Sequence, residues 1–154
     1  RLAGRNVLSL GGASSVDKAF RTPGRDWFDQ ELITERMEAE AIAGGSADLL
    51  LTHESPVQAV PEVRSILASN PFEFPADALA VSAAQRERVQ RVSDAVQPGL
   101  HLHGHMHVCG DLELEDGRRV VSLDRDTFAG NAGVLNMRTL EFEPLPLSAI
   151  RGRL

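Results

Sequence analysis

The chain has 154 residues, 42% of them apolar, with 16 basic and 22 acidic side chains and a formal net charge of -6. This length and apolar share predict one domain, residues 1–154, with its own core. The negative balance provides no basic field for gripping a phosphate backbone, which argues against nucleic-acid binding.

Cys109 is the single cysteine, so no internal disulfide can form and a cytoplasmic setting is expected. No apolar run approaches the roughly 18 residues of a membrane helix, so no membrane partner is expected. The opening Arg1-Leu2-Ala3-Gly4-Arg5 lacks the apolar stretch of a signal peptide. A start on arginine rather than methionine is what a processed chain, or the later part of a longer product, would show.

Asn6 to Leu10 is a short apolar run stopped by Gly11-Gly12, the pattern of a strand entering a tight loop. A polar segment follows to Asp29. Ile33, Met37 and Ala41 then recur at helical spacing after a Thr34 cap, with Gly44-Gly45 at the helix end. Asp48 to Thr52 is a continuous apolar run too short for a helix, which predicts a strand covered on both faces and leading into His53.

Pro61 opens a predicted helix carrying Val63, Ile66 and Leu67, which the Pro71 to Pro75 segment ends. Ser82 with Gln85 reads as a capping box starting a second helix, with Val89, Val92 and Val96 on its buried stripe and Pro98-Gly99 closing it. From Leu100 to His107 the pattern alternates as in a strand. Asp116-Gly117 between alternating runs predicts a hairpin within Asp111 to Leu123. Gly133 to Met137 and Leu140 to Phe142 read as further strands. The order predicts an α/β layered sandwich.

Of five histidines, four fall in one seven-residue window, as His101, His103, His105 and His107. On a strand every second side chain shares a face, so these imidazoles are expected to converge until Gly104 bends the backbone. The fifth, His53, stands at the end of the apolar strand, where α/β folds place ligands. Neutral imidazole is a common metal ligand near pH 7, and two histidines one residue apart at a strand end can reach one metal or two adjacent ones; the alternative is that His53 caps its strand and the His101 to His107 run is a half-exposed edge strand.

Leu50-Leu51-Thr52-His53-Glu54-Ser55-Pro56, followed some fifty residues later by His103-Gly104-His105-Met106-His107, resembles the C-terminal half of the calcineurin-like metallophosphoesterases. The Gly11 to Lys18 segment, with Arg21, Gly24 and Trp27, is similar to the loop after a core strand in bacterial and phage members. The resemblance implies a four-layer α-β-β-α sandwich, its N-terminal part missing here, and hydrolysis of phosphate esters at a centre of two divalent metal ions. Manganese, iron or zinc would suit it. It also implies that His53 and His105 bind the second metal and His107 the first. In such centres the ions lie roughly 3.5–4 Å apart and activate hydroxide for in-line attack on phosphorus.

The family's Asp-x-His, Gly-Asp-x-x-Asp and Gly-Asn-His elements do not occur in this chain. The bridging aspartate and the catalytic acid are therefore absent, and about half of the metal site is expected. Asp111, Asp124 and Asp126 have no partner pattern that would promote them to bridging ligand.

Arg21, with Lys18 and Arg25, lies in the loop after the first strand and could meet a phosphate. Asp17 and Glu54 could orient a ligand histidine, since metal-bound imidazoles usually donate their other N–H to a carboxylate or carbonyl. His103 could do the same or line the cleft, whereas His101 lies further back along the strand. The resemblance makes a phosphate-ester substrate the expected partner. The rival reading is a non-catalytic protein-interaction module on a degenerate phosphoesterase fold.

Overall fold

A computed structural model describes residues 1–151 of the chain. The elements follow in the order β1 (Val7–Leu10), α1 (Glu35–Ala43), β2 (Leu49–Thr52), α2 (Pro61–Ser69), α3 (Ala76–Val96) and β3 (Leu100–His103). After them come β4 (Gly110–Glu113), β5 (Arg119–Ser122), β6 (Gly133–Leu135), β7 (Phe142–Pro144) and α4 (Leu147–Arg151).

The main sheet has the strand order β1-β2-β3-β5-β4. Its first four strands in that order run parallel, and β4 pairs antiparallel with β5 at the edge. Parallel strands need long crossovers, supplied by α1 between β1 and β2 and by α2 and α3 between β2 and β3. β6 and β7 form a separate antiparallel ribbon.

Alternation along β2 sorts the core into two faces. Leu50 packs with Leu10, Ala41, Val89, Val92 and Val96 beneath α1 and α3. Leu49 packs with Leu100, Leu102, Val121 and Phe142, so its face is covered by the ribbon, through Leu135 and Phe142, and by Met137 and Leu140 between its strands. The expectation of a strand buried on both sides therefore holds. Helices, five-stranded sheet and ribbon form successive layers of a mixed α/β fold.

Thr34 caps α1, its hydroxyl accepting the Met37 N–H at 3.2 Å, as the sequence predicts. Glu38 of α1 then accepts from Arg88 and Arg91 of α3 at 2.7 and 2.5 Å and ties the two helices together. Asn70 ends α2 in a left-handed conformation, and its side chain bonds both ways with the Phe74 backbone. Gly45, rather than Gly44, takes the left-handed position after α1.

Three local expectations need correction. Ser82 and Gln85 open no helix: α3 begins at Ala76, and both lie buried within it. Gln85 instead uses its carbonyl oxygen to accept the Ile33 N–H at 2.6 Å, a long-range bond that mimics a cap in sequence. The alternation from Leu100 to His107 belongs to a strand only as far as His103. The last strand is Phe142–Pro144 rather than Leu140 to Phe142, because Leu140 adopts a positive φ of 63° that ends extended geometry before it.

Among the described residues, no helix is long and apolar enough to cross a membrane.

Candidate functional site

β1, β2 and β3 are parallel neighbours, so their C-terminal ends open on the same edge of the sheet. Loops leaving those three ends meet there. The first is Gly11 to Asp17, whose start is fixed by Gly12: at φ +107° a Cβ would lie 2.8 Å from the Glu31 carbonyl oxygen. The Ala13 N–H then bonds that same oxygen at 2.8 Å.

The second loop carries His53 and Glu54 off β2, and the third carries Gly104 to Val108 off β3. In the third, the turn is made by His105 and His107, with φ of 66° and 55°, and not by Gly104. Left-handed backbone at a non-glycine residue costs of order 1–3 kcal/mol, and such strain collects at functional sites. The turn takes His105 and His107 out of the row shared by His101 and His103. It brings His105 to His53, with ring centroids 5.0 Å apart and planes at 65°.

Hydrogen bonds define three of the five imidazoles. A carbonyl oxygen can only accept, so His105 carries its proton on Nε2, 3.0 Å from the Ser14 oxygen, and keeps a lone pair on Nδ1. His103 likewise donates from Nδ1 to the Gly104 oxygen at 3.1 Å, leaving a buried Nε2 without a partner. The Thr52 hydroxyl donates to the Glu54 carbonyl at 2.6 Å and therefore accepts from His101 Nε2 at 2.9 Å. His101 Nδ1 is buried and unpartnered.

Burial, the largest cause, holds the pKa of His53 and His105 below the ordinary value, and the neighbouring imidazoles add to it. Both rings are then neutral at pH 7 and can offer nitrogen lone pairs. The two deeper rings are pushed further, His103 to about 4 and His101 to about 3.

Glu54 is fully buried, and desolvation raises its pKa to about 7. Its carboxylate accepts the N–H groups of Ser14 and Ser55 at 3.2 and 3.0 Å. It lies 3.8 Å from His105 Nε2, beyond hydrogen-bond reach. Asp17 does not orient a histidine directly, because both its oxygens are taken by Arg21 at 2.7 and 2.8 Å. That pairing lowers the Asp17 pKa and occupies the guanidinium proposed for phosphate.

These groups border a cavity of about 1010 Å³ lined on one part by Asp17, Arg21, His53, His105 and His107. Ile66, Leu67, Phe72 and Phe74, from α2 and the segment after it, supply an apolar part of the lining. The sequence reading had not anticipated this apolar lining, nor the roles of Ser14 and Thr52, which act through backbone atoms or as a link between other residues.

Cys109 is half-buried with a raised pKa, burial the main cause, and stands outside this group. Asp111 is engaged by Arg119 and Asp124 by the Arg125 N–H.

For a metal the fit is partial. His53 and His105 provide two neutral, adjacent imidazoles, but among the described residues no three His, Cys, Asp or Glu side chains are gathered to hold an ion. Comparison with protein-family models and with curated proteins finds no match to this chain.

Proposed function

We propose that this chain carries the histidine half of a metal-dependent phosphoesterase site acting on phosphate esters. The observation that supports it most is the meeting of His53 and His105 from two strand ends, both neutral, over a cavity that His107 also lines.

In this reading His53 and His105 hold one divalent ion, manganese, iron or zinc, and His107 contributes to a second. Such an ion, when bound, polarises a phosphoryl oxygen and acidifies bound water. The chain's own residues set the geometry: the Ser14 carbonyl fixes the His105 tautomer, and the Asp17–Arg21 pair borders the cavity. The apolar lining accommodates the organic group of an ester. The finer four-layer arrangement belongs to the same proposal, and the succession of helices, sheet and ribbon is compatible with it.

A second reading has one observation in its favour. The described residues gather no three-ligand set, as a non-catalytic interaction module that has lost its metals would also show.

Metal uptake by this chain, and manganese-stimulated hydrolysis of p-nitrophenyl phosphate and of its bis ester by a longer form that supplies the missing Asp-x-His, Gly-Asp-x-x-Asp and Gly-Asn-His elements, separate the two. Turnover that disappears in His105→Ala supports the phosphoesterase reading and identifies the ester class. Failure of both esters, together with no metal uptake, favours the interaction module.

A further inference from the structure

We propose that Glu54 is the positioning residue of His105, acting through the backbone of Ser14. The proposal rests on the reading of His105 as a working imidazole of the site.

A fully buried carboxylate is costly unless its oxygens are satisfied. Glu54 meets that requirement with two backbone N–H groups, one from its own turn at Ser55 and one from Ser14 on the loop after β1. Its own carbonyl oxygen accepts from Thr52, which His101 secures from β3. Glu54 is thereby fixed from three segments of the chain.

Ser14 is buried at 4% exposure beyond the end of β1 at Leu10, between Ala13, whose N–H bonds the Glu31 carbonyl, and Ser15, whose hydroxyl bonds the Glu31 carboxylate. The Glu54 carboxylate takes the Ser14 N–H, and the carbonyl oxygen of Ser14 receives His105 Nε2–H. Ser14 thus joins the two side chains at its opposite ends. Because Glu54 and His105 are too far apart to hydrogen-bond directly, the hydrogen-bonded path from one to the other runs through Ser14. The consequence is chemical: with Nε2 protonated, Nδ1 is the nitrogen left to bind a ligand.

The experiment is long-range ¹⁵N NMR of the imidazoles in the whole chain, comparing wild type with Glu54→Ala, Glu54→Asp, Glu54→Gln and Ser14→Ala. Wild-type His105 is expected as the Nε2–H tautomer. Glu54→Ala and Glu54→Asp, which release Ser14, should give a mixture of tautomers. Glu54→Gln keeps one acceptor oxygen at full reach for the two N–H groups and should restore the wild-type pattern only in part. Ser14→Ala, which leaves the backbone bonds in place, should match wild type.

Cobalt affinity should fall about 10–100-fold in Glu54→Ala, the range for loss of an outer support. A folded Glu54→Ala with an unchanged His105 tautomer would overturn the proposal. Where Glu54→Ala does not fold, an unchanged tautomer in Glu54→Asp overturns it equally. Absence of cobalt binding in wild type would instead count against the phosphoesterase reading, since the tautomer measurement stands without metal.

Discussion

Two carboxylates flank the same strand, Asp48 just before β2 and Glu54 just after it, and they are handled in opposite ways. Asp48 lies near the surface, accepting from the Arg5 guanidinium at 2.9 Å and the Asn6 N–H at 2.8 Å. The Asn6 bond, followed by Arg5, lowers its pKa. Glu54 is enclosed, pairs with no Lys or Arg among the described residues, and has its pKa raised to about 7 by burial. One end of the strand spends its acid on a solvated clasp. The other end places an acid where it is costly, beside the histidines, and local groups held at a cost are what functional sites accumulate.

Both ends hang on the middle of β2, so the largest expected effect lies there. Leu50 is completely buried in the helix-side core, and Leu50→Ala should lose about 2–5 kcal/mol in urea denaturation. Loss below about 1 kcal/mol would mean that the strand is not the common support of its two ends.

Glu54→Ala comes next. It strands the Ser14 and Ser55 N–H groups, at about 1–3 kcal/mol for each buried donor left unsatisfied, partly offset by release of the desolvated carboxylate. Asp48→Asn should cost less than Glu54→Ala, and its cost should shrink in high salt as screened surface pairs do. An equal, salt-independent loss at both ends would break the contrast.

The pH dependence sharpens it. His101, facing His103 and the charge of Arg118, has its pKa pushed down to about 3 from 6.5, with burial the main cause. The unfolded chain takes up a proton below its ordinary pKa that the folded chain excludes, so the contribution of His101 to stability falls as pH drops from 6.5 toward 3, while Glu54, raised to about 7, contributes in the opposite sense over the upper part of that range. Asp48, with a lowered pKa, adds to that fall only at the acid end, below 3.8. His101→Asn should flatten the upper part of the decline in urea midpoint with pH, and Asp48→Asn only the lowest part. An unaltered profile in His101→Asn would show that the ring is not excluded from protonation.

Much of the fold was legible because its signals are local. The Thr34 cap, Pro61, the β2 apolar run and Asp116-Gly117 each act through neighbours a few residues away, and each element formed where its signal lay. One failure was long-range. Ser82 and Gln85 match a capping box, yet Gln85 serves Ile33, 52 residues away, a bond that no local pattern announces.

The histidines divide in the same way. Their spacing showed that they cluster, and the end of β2 showed where His53 would emerge. Alternation predicted a shared face up to a bend at Gly104, whereas the turn is made by left-handed backbone at His105 and His107. Glu54 was visible as a candidate to orient a histidine, but its route through Ser14 uses peptide groups, which every residue possesses and no sequence marks.

The most direct test of the central claim is a cobalt(II) titration of the chain followed by its visible absorption, in wild type, His53→Ala and His105→Ala. The account predicts saturable binding with nitrogen-ligand bands that both substitutions abolish while the fold persists. No binding in wild type, or binding indifferent to both substitutions, would contradict the assignment of His53 and His105 as a shared metal-holding pair.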